Sequence, residues 1–311
     1  DEYEPLSFFE IMTAMALVYF SRKKVEVALL EVGIGGLLDT TNIVHSTMSV
    51  ITSIGMDHEE MLGNTLEEIA IQKTGIFKQN QEVILGKLPT EALKVAEVVG
   101  KAYNCDIHQF EREFNIEPFE DGFIFTNSDT RIHIPHLNLK GNYQLENAAV
   151  ALECFLRFEK KFQLPIVLSA VQKSFQTVTW PGRMEVVHQS PTVILDGAHN
   201  IHALKRFVET VKQHGELESQ HTILFSALKR KHYIEMVDYL RKELPEARLV
   251  VTTFEYVGAI EKTDYPSSEI EFVENAQQFI ENYINKMSDE ETLWITGSLY
   301  FISFVRKIFI K

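Results

Sequence analysis

Two side chains that can bind metals lie at the ends of apolar runs that predict strands. Glu31 is near the end of the run 25–32 and precedes a turn with three glycines in four positions, and His58 follows the run 48–54. In an open α/β sheet, ligands bind outside the carboxyl ends of the strands, so the two side chains can converge. A carboxylate and an imidazole, completed by phosphate oxygens and waters, suit a divalent metal bound with a nucleotide. Each residue could instead be structural.

A second group of polar residues lies in the last part of the chain. Asp196, His199 and Asn200 stand between a predicted strand and the start of a predicted helix. The free amides of a helix N-terminus form a ready site for anions. An aspartate can hold a ribose or an adenine edge, His199 can reach a phosphate, and Arg183 can bind a phosphate with two hydrogen bonds. This pattern is about as specific as a single glycine-rich loop.

Composition narrows the class of protein. The 311 residues carry a net charge of −14, which argues against a broad surface for nucleic acid or an anionic membrane but allows a local basic pocket. Cys105 and Cys154 lie outside any CxxC motif and indicate free thiols in the cytoplasm. The apolar run 11–20 is too short to cross a bilayer, and no signal peptide is evident. The first residue is Asp1 rather than methionine, which suggests that a segment has been removed.

Apolar periodicity predicts an α/β fold with two domains. Ser7 and Glu10 predict a capping box at the start of the first helix, and Asn64 or Thr65 predicts the start of a later one. Short alternating runs predict a small antiparallel insertion within residues 106–134. The expected helices of the first domain are 65–72, 90–101, 143–158 and 165–175, the last with Pro165 in its first turn, and its third strand is 83–85.

Trp180 to Arg183 is a rigid turn and the expected domain boundary, giving domains 1–180 and 181–311. After it, four strands each followed by a helix predict a Rossmann-like domain with a parallel sheet. The expected strands are 192–195, 222–227, 248–253 and 292–296, and the expected helices are 201–214, 233–242, 275–285 and a closing helix.

A phosphate-binding loop is absent from the 311 residues. Such a loop has the pattern G-x-x-x-x-G-K-[ST]. Neither Gly-Lys pair fits it: at Gly86-Lys87, Gln81 replaces the first glycine and Leu88 follows the lysine, and at Gly100-Lys101 the lysine is followed by Ala102.

Six motifs, in order along nearly the whole chain, make the sequence similar to folylpolyglutamate synthase/dihydrofolate synthase, a family of the Mur ligase superfamily. The resemblance implies a Mur-ligase-like mononucleotide-binding domain with a parallel sheet, followed by a Rossmann-like ligase domain. The motifs are Ser7-Phe8-Phe9-Glu10, Leu30-Glu31-Val32-Gly33-Ile34-Gly35-Gly36, Ile54-Gly55-Met56-Asp57-His58, Ile71-Gln72-Lys73-Thr74-Gly75-Ile76, Trp180-Pro181-Gly182-Arg183 and Asp196-Gly197-Ala198-His199-Asn200.

The resemblance also implies an activity and its partners. The family uses ATP and Mg²⁺ to add L-glutamate to dihydropteroate or to the γ-carboxylate of a reduced folate. The acceptor carboxylate takes the γ-phosphoryl group, and the glutamate amine then displaces phosphate from the acyl phosphate. A cytoplasmic monomer, with no nucleic-acid or membrane partner, is the expected state.

Motif by motif, the resemblance assigns roles to residues of this chain. Glu31 and His58 would be magnesium ligands, and Lys73 would be carbamylated, because a free ammonium would repel a nearby metal. Lys73 and His199 would be the catalytic residues. ATP would contact Asn147, Arg183, Asp196 and His199, across the cleft between the domains. The substrate that carries the pterin would border Ser7, Phe8, Phe9, Glu10, Leu38, Asp39 and Thr40.

The sequence departs from the family pattern at two positions and lacks one segment. Leu37 replaces a common arginine, and Tyr143 stands where the family has a histidine. The family segment with the ATP loop and a metal-binding serine is not matched. We therefore expect the chain on its own to bind ATP weakly and to be inactive as a ligase.

Three other functions stay open. One is a Mur-type ligase that adds an amino acid to a cell-wall precursor, which the segment Ser7 to Glu10 disfavours. A second is an inactive module that binds folate or a nucleotide. A third is a structural or interaction fragment whose second domain docks on partners.

Overall fold

In the computed structural model, residues 5–213, 221–264, 270–288 and 290–310 are described. Backbone packing divides the chain into two compact units. Unit 1 comprises residues 1–117, 125–132 and 146–166, and unit 2 comprises 118–124, 133–145 and 167–311. The domain limits 1–180 and 181–311 stay a prediction.

Helices and strands alternate along most of the described chain. Among the described residues, each helix is too short or too polar to span a bilayer. The helices are α1 (Phe8–Lys23), α2 (Glu59–Leu62), α3 (Leu66–Thr74), α4 (Thr90–Ala102), α5 (Asn142–Phe162), α6 (Leu168–Thr177), α7 (Ile201–Gln213), α8 (Tyr233–Glu243), α9 (Ala276–Lys286) and α10 (Leu299–Phe309). The strands are β1 (Met48–Ile51), β2 (Glu82–Leu85), β3 (Asp106–Gln109), β4 (Phe114–Phe119), β5 (Gly122–Asn127), β6 (Arg131–Ile134), β7 (Glu185–Gln189), β8 (Thr192–Leu195), β9 (His221–Phe225), β10 (Arg248–Thr252), β11 (Glu271–Val273) and β12 (Thr292–Thr296).

The first sheet is parallel, in the order β1-β2-β3. Val83 and Leu85 of β2 are fully buried and pack with Ile69 of α3 and Ala96 of α4 in one core cluster. A strand of a buried parallel sheet is expected to be apolar along its length, and β2 has this composition. The predicted α/β fold is confirmed here, and so is the small antiparallel insertion, which forms the sheet β4-β5-β6.

The second large sheet has the order β11-β10-β9-β12-β8-β7. All its pairs are parallel except β7 with β8, which is antiparallel. Two apolar clusters share its buried residues, with Ile194 and Trp294 in one and Leu195 and Leu293 in the other. Successive residues of one strand, such as Ile194 and Leu195, thus belong to different clusters. Apolar residues therefore cover both faces of the sheet, as expected for a Rossmann-like domain.

The predicted strand over residues 25–32 is wrong. Among the described residues, no backbone hydrogen bond joins 26–32 to a strand, and β1 pairs only with β2. Without a partner the segment forms no strand and is mostly exposed, and Leu29 is 90% exposed. A strand needs hydrogen bonds from a neighbour, which an apolar run cannot supply by itself.

Smaller differences concern strand partners and helix ends. Residues 106–109 form the third strand of the first parallel sheet rather than part of the insertion. Pro165 precedes α6, which begins at Leu168. The edge strands β7 and β11 lie beside the four predicted strands of the second sheet. The last residue of the predicted helix 201–214, His214, lies outside the described residues.

The glycine-rich turn lies directly against the end of α3. The amide of Leu37 donates to the carbonyl of Gln72 at 2.7 Å. A Cβ atom added to Gly36 would be 2.8 Å from the same carbonyl oxygen. Asn42 fastens the contact, since its Nδ2 donates to the carbonyls of Leu37 and Gly75, both at 3.0 Å. Glycine is required at position 36 because backbone meets backbone there.

Gly36→Ala should destabilise unit 1 by about 2–4 kcal/mol, because the new methyl group forces the turn and α3 apart. Hydrogen exchange of the α3 amides measures the loss. Gly33→Ala is the matched control, since its nearest neighbours are ring atoms of Phe9 at 2.9 Å, which can rotate away. Equal protection of α3 in the two variants would contradict this account.

Candidate active site

The two predicted metal ligands differ in how the fold holds them. His58 lies after β1, at the start of α2, with a left-handed backbone (φ 52°). Its amide donates to Asp57 Oδ1 at 2.9 Å, and its Nε2 lies 3.8 Å from Asp57 Oδ2. Glu31 is exposed and, among the described residues, makes no hydrogen bond or ion pair.

Glu31 and His58 supply at most two of the ligands that a metal ion needs. In the described part of the chain, Glu31 and His58 are not joined by a third acidic, histidine or cysteine side chain in a ready three-ligand cluster. Mg²⁺ commonly takes one or two carboxylates and fills its sphere with phosphate oxygens and waters. An exposed carboxylate and an exposed imidazole are suitable donors for that kind of site, whereas a closed structural metal site would need more protein ligands.

Lys73 lies in the last turn of α3 and is half-buried. Burial lowers the pKa of its ammonium group, and the negative charge of Asp57 opposes the change. Lys73, Asp57 and His58 are therefore electrostatic neighbours in unit 1. The involvement of Asp57 was missed from the sequence, although it stands in the quoted Gly55-Met56-Asp57-His58 motif. A lysine with a lowered pKa is a better nucleophile towards CO₂, because more of it is the neutral amine.

Asp39 organises the glycine-rich turn. Its Oδ2 accepts from the amides of Gly33 and Ile34, both at 3.0 Å, and its Oδ1 accepts from Thr41 at 2.9 Å and 2.6 Å. Burial raises the pKa of Asp39, but these hydrogen bonds outweigh it and the pKa lies below its usual value. Both oxygens are engaged, so the carboxylate first of all shapes the loop that carries the exposed Leu38 and the half-buried Thr40.

The capping box at the start of α1 is confirmed. The amide of Ser7 donates to Glu10 Oε2 at 2.7 Å, and the amide of Glu10 donates to Ser7 Oγ at 3.2 Å. These bonds fix the first turn of α1, which presents Phe8, 79% exposed, and Phe9, whose ring lies against Gly33. An exposed aromatic pair beside the glycine-rich turn is a surface on which a planar ring could stack.

In unit 2, Asp196 is the centre of the second group. It is buried at the carboxyl end of β8, its Oδ2 accepts from the amide of Met184 at 3.1 Å, and its Oδ1 accepts from that of Ala198 at 3.0 Å. Burial raises the pKa of Asp196 to about 6, although the charge of Arg183 acts in the other direction. The charge of Arg183 and the two backbone amides therefore favour the ionised carboxylate, and burial opposes it.

The loop after Asp196 leads into α7. His199 Nδ1 lies 3.0 Å from the carbonyl oxygen of Gly197, a contact that orients the imidazole ring at the start of α7. Asn200 Oδ1 accepts from the amide of Ala203 at 2.8 Å and so caps the helix. The predicted order of strand, polar loop and helix start is confirmed.

Tyr143 is a neighbour that the sequence did not reveal. It is mostly buried, its pKa is raised by burial and by the charge of Asp196, and the charges of Arg183 and Arg206 lower it. This tyrosine occupies the position of the family histidine, so the substitution changes the group that faces Asp196. Asn147, the remaining predicted ATP contact, is exposed on α5 in unit 1.

Comparison with known proteins agrees with these motifs. A model of the Mur ligase middle domain matches residues 7–155, and a model of the Mur ligase glutamate ligase domain matches residues 182–299. The chain is 35% identical, over 98% of its length and 73% of the relative, to the dihydrofolate synthase/folylpolyglutamate synthase of Bacillus subtilis (strain 168). It is 30% identical to the folylpolyglutamate synthase of Lacticaseibacillus casei, over 96% of this chain and 70% of the relative.

Solved structures with a similar fold include folylpolyglutamate synthases. An FPGS–AMPPCP–folate complex aligns with a TM-score of 0.81 and 28% identity, covering 99% of this chain and 72% of the solved one. Together, the two matching domains and the identity to whole synthases show that the chain belongs to the folylpolyglutamate synthase/dihydrofolate synthase family of the Mur ligase superfamily.

Proposed function

We propose that the chain is an ATP-dependent ligase that adds L-glutamate to dihydropteroate or to the γ-carboxylate of a folate. One observation carries the proposal: the 35% identity over 98% of the chain to a dihydrofolate synthase/folylpolyglutamate synthase. The FPGS–AMPPCP–folate complex supports the pairing of an ATP analogue with a folate on this fold. The chemistry of the two residue groups fits that reaction.

The reaction joins two anions. The acceptor carboxylate attacks the γ-phosphorus, the bond to the β–γ bridging oxygen breaks, and ADP leaves. The amine of glutamate then attacks the carbonyl carbon of the acyl phosphate, loses a proton, and expels phosphate as the amide forms. Since carboxylate and triphosphate repel each other, the site must offset negative charge.

The groups of unit 1 supply part of this charge compensation. We assign Glu31 and His58 as ligands of Mg²⁺, which when bound neutralises charge on the phosphate oxygens. Lys73 would not fit beside a cation as an ammonium, but a carbamate on Nζ turns it into an anion that can hold the metal or its waters. The lowered pKa of Lys73 supports this assignment.

The groups of unit 2 bind the nucleotide in this proposal. Arg183 offers a planar fork of donors to phosphate oxygens, and the imidazole of His199 is assigned to a phosphate. Asp196 holds the loop through two backbone amides and faces the ribose or the base. Asn147 adds an amide for the nucleotide from α5.

The pterin-bearing substrate would lie on the surface formed by α1 and the glycine-rich turn. Phe8 and Phe9 provide ring faces, Leu38 is 89% exposed, and Thr40 follows the loop that Asp39 shapes. We place Ser7 and Glu10 there as the residues that fix the first turn of α1. We further propose a monomer in the cytoplasm; the free thiols of Cys105 and Cys154 support the compartment.

The 311 residues contain no G-x-x-x-x-G-K-[ST] motif. The backbone amides and the lysine of that motif make many of the contacts to the phosphates of ATP. We propose that these 311 residues by themselves bind ATP weakly, and that they carry out the ligase reaction together with a segment that supplies such a loop. Assays of catalysis therefore use the chain joined to a family segment that carries the loop.

His58→Ala should abolish Mg²⁺-dependent addition of radiolabelled glutamate to dihydropteroate, because removing one of two protein ligands leaves the metal without its anchor. A loss of at least 100-fold in kcat/KM is expected. His45→Ala, a change of another exposed histidine in unit 1, should leave the rate unchanged. An active His58→Ala enzyme at ordinary Mg²⁺ would refute the ligand assignment, and no glutamate addition by the unmodified enzyme would refute the function.

Lys73 should give a carbamate signal with ¹³C-bicarbonate by NMR. Because CO₂ reacts with the neutral amine and burial lowers the pKa of Lys73, the signal should grow as pH rises and appear at lower pH than for an exposed lysine. Lys73→Ala should remove both the signal and the activity, and added bicarbonate should not restore activity. Lys87→Ala, which changes an exposed lysine paired with Glu111, should keep both. A free amine at position 73 in an active enzyme would contradict the assignment.

A further inference from the structure

A separate cluster of metal-binding side chains lies at the amino ends of two strands in unit 1. Glu82 begins β2 and Asp106 begins β3, and the two residues are partners in the parallel register. His108 follows Asp106 by two positions, so its side chain leaves the sheet on the same face. The pattern therefore brings two carboxylates and one imidazole together, at the amino ends of the strands, whereas the loop of His58 follows the carboxyl end of β1.

The distances agree with this placement. One ligand atom from each of Glu82, Asp106 and His108 lies within 4.8 Å of the others. His108 Nε2 is 3.2 Å from Asp106 Oδ2. In a tetrahedral zinc site with bonds near 2.0–2.1 Å, neighbouring ligand atoms are about 3.3 Å apart. The His108–Asp106 pair already has this spacing, and only the longer side chain of Glu82 has to approach.

His108 is the observation that points to a ligand. Its side chain is 7% exposed, yet within the described residues neither ring nitrogen makes a hydrogen bond of acceptable geometry. Glu153 Oε1 is 3.7 Å from Nδ1, but the two oxygens of Glu153 are already engaged by Arg157 and Asn127, each at 2.8 Å. A buried polar ring with unsatisfied nitrogens is costly, and a cation on Nε2 would satisfy one of them.

The charges around the ring also favour a cation. Glu82 Oε2 is buried without a hydrogen bond among the described residues and lies 3.8 Å from Lys161 Nζ, a long contact for an ion pair. Asp106 is 68% exposed on its side chain and gives a route from solvent. One nitrogen and two carboxylate oxygens, with water as a fourth ligand, form a donor set that Zn²⁺ accepts and that is too small for Ca²⁺.

We propose that Glu82, Asp106 and His108 bind a divalent cation of the zinc class, with water as the fourth ligand, in a site that joins β2 to β3. The cation would displace Lys161 from Glu82 and use the neutral imidazole of His108. The site is independent of ATP and of the proposed ligase chemistry.

Titration of chelator-treated protein with Zn²⁺, in the absence of nucleotide, tests the proposal by calorimetry. The expected result is one Zn²⁺ per chain at this site and a rise in the melting temperature. Asp106→Asn, a change at an exposed position, should weaken Zn²⁺ binding at least tenfold and remove the thermal shift. His136→Gln is the matched control, because His136 forms another histidine–aspartate pair, 4.0 Å from Asp121, away from the cluster.

Two further variants keep the test decisive. His108→Gln should lose Zn²⁺ binding, and its circular dichroism spectrum shows whether it folds. His58→Ala should bind Zn²⁺ at this site as the unmodified protein does, so failure of the proposed ligase site leaves this result intact. Absence of Zn²⁺ binding at 100 μM by folded protein, or equal binding by Asp106→Asn, would overturn the proposal and leave His108 as an ion-pair partner only.

Discussion

The close contact between the glycine-rich turn and the last turn of α3 is the constraint on which the site in unit 1 depends. A side chain at position 36 would meet the carbonyl of Gln72 at 2.8 Å, so the two backbones can touch only because glycine stands there. Asn42 links both sides of the contact, and Asp39 closes the turn with hydrogen bonds to its own amides. Lys73 lies in the helix turn that this contact covers, and burial lowers the pKa of its amine.

In unit 2, the main constraint is the burial of the Asp196 carboxylate in a loop. Asp196 is 5% exposed, and burial would keep it neutral if nothing compensated. Two backbone amides and the guanidinium of Arg183 lower its pKa and so stabilise its ionised form. The same arrangement fixes the loop that starts α7. The order of strand, aspartate, histidine and helix thus serves structure and, in the proposed function, nucleotide binding.

The sequence could predict what depends on local pattern. The capping box of Ser7 and Glu10 involves neighbours in the chain, and the buried strands β8 and β12 have apolar runs that fit two covered faces. The run 25–32 is equally apolar, but a strand also needs hydrogen bonds from a neighbouring strand. The sequence of one segment does not show whether such a neighbour is present. The proximity of Asp57 to Lys73 and of Tyr143 to Asp196 could not be predicted either, because tertiary packing creates these pairs.

The central claim is that this family member forms an amide through an acyl phosphate. The most direct measurement uses dihydropteroate with ¹⁸O in its carboxylate, incubated with ATP, Mg²⁺, glutamate and the chain joined to the loop-bearing segment. The account predicts ADP as the nucleotide product and one ¹⁸O atom in each phosphate released, because the carboxylate oxygen that attacks phosphorus leaves with it. Unlabelled phosphate, or AMP and pyrophosphate as products, would contradict the account.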